Sequence, residues 1–158
     1  MKHLLLAAAL LPVAASAAPA SPQDRIALQS LARAADEAWN ARDAKAMSLH
    51  YAKDANLRLG GMAEPVRGRD SVRAYFETAF AARQGTLRHV TIVDSIEMPR
   101  PGLAVSDAKV VVEARTADGS WKPVREFTNT SVAIREDGAW KLAAVRATPL
   151  PLEQAAGR

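Results

Sequence analysis

The chain of 158 residues contains no cysteine. Disulfides, thiol nucleophiles and thiolate metal sites are therefore excluded, and a folded domain must hold by packing alone. Histidine is nearly as scarce, at three residues. His3 falls in the N-terminal segment discussed below, which leaves His50 and His89, too few for a three-histidine zinc site. The chain has no HExxH, GxGxxG, GxSxG or P-loop pattern. Zinc-peptidase, dinucleotide-binding, serine-hydrolase and phosphate-loop chemistries thus lack their signatures, and neither a metal nor a cofactor is expected. An excess of one charge is also missing: 21 Lys and Arg stand against 17 Asp and Glu, a formal net charge of +4. Arginines alternate with acids along the whole chain. That pattern reads as a mixed solvated surface and not as a nucleic-acid stripe, with room for a mild preference for anionic ligands.

The one long apolar run is at the start. Lys2 supplies a positive n-region, Leu4 to Val13 an apolar stretch, and Ala15-Ser16-Ala17 a small-x-small cleavage pattern. These are the parts of a signal peptide cut after Ala17. A membrane anchor needs about 20 apolar residues, and Pro12 with the Ala/Ser/Pro run interrupts this one too early. The expectation is export to the periplasm or medium, with no membrane anchor after cleavage. The rest divides into a disordered lead over 18–21, one domain over 22–148 and a flexible tail over 149–158.

Within the domain, Ser21-Pro22-Gln23-Asp24 is a helix start, with Ser as N-cap and Pro at N1. Leu28, Leu31, Ala35, Ala38 and Trp39 then form one apolar stripe. Asp43 caps a short second helix running to about Tyr51. Asn56 to Leu59 reads as a strand, Gly60-Gly61 and Glu64-Pro65 as a turn, and Val66 as a short strand. A third helix starts near Arg69, with Val72, Tyr75, Phe76, Ala79 and Phe80 facing the core, and Gly85 ends it. The period then changes to two. Strands are expected over Leu87–Glu97, Leu103–Thr116, Trp121–Arg135 and Trp140–Thr148, with turns at Asp118-Gly119 and Asp137-Gly138. Three helices followed by a long meander give an α+β fold, with the helices packed on a strongly curved antiparallel sheet around a central pocket.

In order and spacing, Trp39-Asn40-Ala41-Arg42-Asp43, Tyr51-Ala52-Lys53-Asp54-Ala55, Glu64-Pro65-Val66-Arg67-Gly68-Arg69, Tyr75-Phe76, and Asp137-Gly138 with Trp140-Lys141-Leu142-Ala143-Ala144 and nearby Thr148 carry a family likeness. The chain resembles the nuclear transport factor 2-like superfamily, the cystatin-like cone fold, and most closely its SnoaL-like and SgcJ/EcaC-type bacterial members. The resemblance implies a cone-shaped barrel with a pocket. It does not imply one activity, because the superfamily holds isomerases, polyketide cyclases, dehydratases, immunity proteins and plain binding domains.

A cone-fold isomerase needs a base in an apolar pocket and donors for an enolate oxygen. Asp54 reads first as a turn cap, and Asp107 sits in the polar row of its strand. Asp94 shares an apolar row with Val90, Ile92 and Ile96, where burial would perturb a carboxylate. His50 is expected to be exposed. His89 alternates with Thr91, Val93 and Ser95 and could face the pocket as acid or base. Candidate catalytic residues are therefore Asp94, His89 and, as an oxyanion donor, Tyr75. Candidate pocket residues are Trp39, Tyr75, Phe76, Phe80, Arg125, Asn129 and Arg146, with Trp140 a further aromatic. Both rows of Phe127 to Ile134 are partly apolar, which suggests a homodimer through the convex sheet face. Two functions follow. One is an exported module that binds a hydrophobic or anionic small molecule or a partner. The other is a cofactor-independent isomerase, cyclase or dehydratase acting on a hydrophobic carbonyl compound.

Overall fold

The computed structural model describes residues 18–152. The expected signal segment, 1–17, lies outside the described residues, as does the tail from 153. The elements run β1 (Ala18–Pro19), α1 (Pro22–Asn40), α2 (Ala44–Leu49), β2 (Tyr51–Leu59), β3 (Val66–Arg67), α3 (Arg69–Ala81), β4 (Leu87–Arg100), β5 (Leu103–Arg115), β6 (Trp121–Glu136) and β7 (Ala139–Leu150).

Helix α1 begins where its sequence says. The Ser21 hydroxyl accepts the Asp24 N–H at 3.1 Å, and Pro22 opens the first turn, where a missing N–H does no harm. The Asp24 carboxylate then reaches across to Arg135 at 2.7 Å and to the Trp140 indole N–H at 3.1 Å. The cap of α1 is thereby tied to the β6–β7 hairpin. Asp43 caps α2 through the Ala46 N–H at 2.8 Å. That helix stops at Leu49, so Tyr51 starts β2 instead of closing α2. Helix α3 buries Val72, Phe76 and Phe80, one turn apart on a single stripe.

Strands β4 to β7 form the expected meander. Asp137 and Gly138 both take positive φ (52° and 78°), the conformation of a two-residue turn whose twist suits a hairpin. The sheet order is β1-β4-β5-β6-β7-β2-β3. Three features depart from expectation. The β2–β7 pair is parallel, with Leu57 opposite Val145 and Leu59 opposite Ala147, so the sheet is mixed and not wholly antiparallel. The chain also pairs earlier than expected: Ala18 and Pro19 lie against Met98 and Glu97 of β4, inside the segment expected to be a disordered lead. At the other end β7 runs to Leu150, beyond the expected boundary at 148.

The core has two clusters. One joins α1, α2, α3, β2 and β7 around Met47, Tyr51, Leu57, Val72, Phe76, Phe80 and Val145. The other gathers Leu28, Ile96, Ala104, Ala133 and Trp140. Trp140 is thus spent on this second cluster and does not line the cavity.

Candidate functional site

Between helices and sheet lies a cavity of about 510 Å³. That is within the range of small-molecule sites. Alternation fixes its floor. Leu87, His89, Thr91 and Val93 of β4, Ser106, Ala108, Val110 and Val112 of β5, and Arg125, Phe127, Asn129 and Ser131 of β6 all face it. Helices α1 and α3 supply the roof, with Trp39, Tyr75, Phe76 and Phe80 as its aromatic part.

His89 is on the cavity wall, and its Nδ1 lies 2.6 Å from a carboxylate oxygen of Asp36 on α1. The same carboxylate accepts the Thr91 backbone N–H at 2.7 Å and the Thr91 hydroxyl at 2.7 Å. Three donors from one strand therefore hold Asp36. An oriented carboxylate takes the Nδ1–H of an imidazole and leaves Nε2 as the free nitrogen. The His89 ring also rests against Trp39, with centroids 5.1 Å apart. The Arg83 guanidinium lies 4.2 Å from the Trp39 ring centre. Arg83 donates to the Trp39 carbonyl at 3.0 Å, so the end of α1 is clamped to the segment after α3.

Tyr75 and Tyr51 face the cavity from α3 and β2. Burial pushes both phenols above their ordinary pKa, and it does so more strongly for Tyr51, which is fully enclosed. Arg125 opposes the shift at Tyr75 by favouring its anion. Both hydroxyls remain protonated donors near neutral pH. Asn129 presents a different property. Its side-chain oxygen is buried and has no hydrogen-bond partner among the described residues. A buried unpaired amide oxygen costs about 1–3 kcal/mol unless something bonds it.

Four expectations are corrected here. Asp94 is exposed and outside the cavity. The ladder shifts between Val93 and Ser95, leaving Asp94 as the extra residue of a bulge. The row of Val90, Ile92 and Asp94 therefore faces out, while Ile96 beyond the bulge turns inward and is buried. Arg146 also points away, because its neighbours Val145 and Ala147 take the inward places. Its guanidinium donates to the Asn56 carbonyl at 3.0 Å. His50 is half-buried, not exposed, and desolvation pushes its pKa down, helped by Lys141. Asp107 is exposed as expected and accepts from the Thr130 hydroxyl at 2.6 Å. Asp54 is also exposed, but it lies inside β2 and not in the expected turn. Arg125 lines the cavity but its side chain is largely in solvent.

Asp36 was not among the residues singled out from sequence. A signal was there: it stands one turn from Ala32 and from Asn40, inside the apolar stripe of α1. A charged residue on a buried stripe needs a partner.

The model of the SnoaL-like domain family matches residues 21–146. The chain belongs to this family. No functionally curated protein matches it in sequence. Among solved structures, a domain with a cystatin-like fold from Nostoc punctiforme superposes with a TM-score of 0.73 at 19% identity, over 85% of this chain and 82% of the other. An NTF2-like protein with a cystatin-like fold from Novosphingobium aromaticivorans gives 0.68 at 20% identity, over 85% and 86%. A ketosteroid isomerase-like protein from Erwinia carotovora gives 0.67 at 16% identity, over 83% and 99%. At these identities the likeness concerns the fold.

Proposed function

We propose that this SnoaL-like domain binds a hydrophobic carbonyl compound in its cavity and moves a proton on it without a cofactor, as an isomerase, cyclase or dehydratase. The observation that carries the reading is the 2.6 Å contact between Asp36 and His89 on the wall of a largely apolar chamber. Asp36 fixes the imidazole, and Nε2 is the base. It removes a proton from the carbon next to the carbonyl, and the C–H electrons move into a new C=C bond while the C=O becomes an enolate. A protonated phenol, Tyr75 or Tyr51, supplies the hydrogen bond that such an oxygen needs. The proton carried by Nε2 then returns to another carbon in an isomerisation, or goes to a departing hydroxide in a dehydration, so no oxidant is required.

The reading includes two further parts. Export follows from residues 1–17, and self-association would use the outer sheet face, where Ile92 and Val124 stay exposed. A simple binding module is the second reading, favoured by the unpaired Asn129 oxygen, which a ligand donor would satisfy without any reaction.

The test is solvent-deuterium exchange. A panel of apolar ketones is incubated with the protein in D2O and followed by proton NMR. Exchange at the carbon next to the carbonyl, lost in His89→Ala, is expected. Ketones that bind without exchanging would overturn the enzyme and leave the binding module.

A further inference from the structure

On the edge of β4 away from β5, the only strand partner among the described residues is β1, around Glu97 and Met98, so among the described residues no strand pairs that edge near residues 89–91. An unpaired strand edge inside a fold leaves donors and acceptors that need partners. Here the partners are side chains of α1. The Asn40 amide oxygen accepts the His89 N–H at 2.6 Å, and the Asn40 amide nitrogen donates to the His89 carbonyl at 3.1 Å. One side chain thus makes both bonds that a neighbouring strand would make to that residue. The next rung is filled by Asp36, which takes the Thr91 N–H.

The spacing explains why a helix can do this. Residues one turn apart on α1, Asp36 and Asn40, are separated by about 6 Å along the axis. Residues two apart on a strand, His89 and Thr91, are separated by about 6.6 Å. The two repeats agree closely over one step, and α1 runs opposite to β4, pairing Asn40 with His89 and Asp36 with Thr91. The next turn of α1 in this row carries Ala32, which has no polar side chain. The match ends there.

We infer that Asn40 is a positioning residue for His89: its paired bonds hold the backbone from which the imidazole meets Asp36. Asn40 does not line the cavity, so it acts through His89 and not on a ligand. The catalytic part of this inference rests on the reading that His89 transfers a proton. The structural part does not.

The experiment uses the full chain uniformly labelled with 15N, with His89 signals assigned by their loss in His89→Gln. In the native protein the His89 Nδ1 is expected to carry a proton held by Asp36. In Asn40→Ala the tautomers should mix, and exchange of the His89 backbone amide should quicken by about tenfold or more, while the Thr91 amide, held by Asp36, stays slow. Asn40→Asp keeps the acceptor for the His89 N–H and should preserve that amide's protection. If Asn40→Ala does not fold, Asn40→Asp still decides, because fast His89 exchange in that variant would overturn the clasp. An unchanged tautomer and unchanged exchange in Asn40→Ala would also overturn it. With a turned-over ketone, Asn40→Ala should lower kcat by about tenfold and leave KM in place. Should no ketone react, the proposed enzyme fails while the tautomer and exchange results still judge Asn40.

Discussion

Trp39 is in contact with two nitrogen-bearing groups, the Arg83 guanidinium 4.2 Å from its ring centre and the His89 imidazole at 5.1 Å. Arg83 also donates to the carbonyls of Trp39, Asn40 and Leu87. One side chain therefore joins the end of α1, the segment after α3 and the start of β4. Arg83→Ala is expected to lower stability by about 1–3 kcal/mol, from lost stacking and carbonyls left unbonded. Arg83→Lys should not restore it, because an ammonium lacks the planar fork. Urea denaturation measures both, and a fully stable lysine variant would sink the clamp.

The acid–base assignment separates Asp36 from Asp94. Asp36→Asn leaves His89 without its carboxylate, whereas Asp94→Asn alters an exposed bulge. Loss of exchange activity by about 10²–10⁴-fold is expected for His89→Ala, with a large loss for Asp36→Asn and none for Asp94→Asn. Deuterium uptake rates give the comparison. Equal losses in the two aspartate variants would contradict the geometry.

Asn129→Leu should raise the stability of the ligand-free protein by about 1 kcal/mol, since the substitution removes a buried oxygen with no partner. The same change should weaken ligands that carry a hydroxyl and spare those that do not. Thermal melts and titration calorimetry test the two halves. A destabilised variant would mean that the amide is satisfied in the free protein.

Stability should depend on pH in two windows. Burial lowers the His50 pKa in the folded state, so the unfolded chain binds the proton more readily. The His50 contribution is complete above its ordinary value of about 6.5 and falls as pH drops from there through the folded value. The acids act lower. The Lys53 N–H is the main cause of a lowered Glu136 pKa, the Ser21 hydroxyl of a lowered Asp24, and the Thr116 hydroxyl of an Asp118 brought down to about 2. Their contributions are present above the ordinary carboxylate range and are lost as pH falls below it. Denaturant midpoints measured from pH 8 to pH 3 should show both declines. His50→Gln should abolish the upper one alone.

Self-association gives a further variant. Ile92 is 51% exposed on the outer face, near Asp94 and away from the cavity. Ile92→Glu should turn a dimer into a monomer in native mass spectrometry without changing ligand binding. A monomeric native protein would remove that part of the proposal.

Much of this was legible in local chemistry. Ser21-Pro22 and Asp43 mark helix starts by their capping groups, and Asp137-Gly138 marks a turn that needs positive φ twice. The order of such signals also carried the family. The site was less legible because it depends on contacts between distant segments. Asp36 becomes a site residue only when β4 is laid beside α1. Asp94 left its apolar row because of one bulge, which period-two reading cannot see. Arg146 faced outward once β7 was fixed between β6 and a parallel β2. That parallel pairing has no local signature, since it joins segments separated by most of the domain.

The pairing of Leu57 and Leu59 with Val145 and Ala147 also sets an order of events. Among the described residues, β2 pairs only with the short β3 and with β7, the last strand. On a chain emerging from the N-terminus, β4, β5 and β6 can pair in sequence as they appear, but β2 must wait. Loop closure of that length slows folding. The chamber that holds His89 is therefore sealed last, and a chain truncated before Leu142 would carry every proposed catalytic side chain and still lack the wall that encloses them.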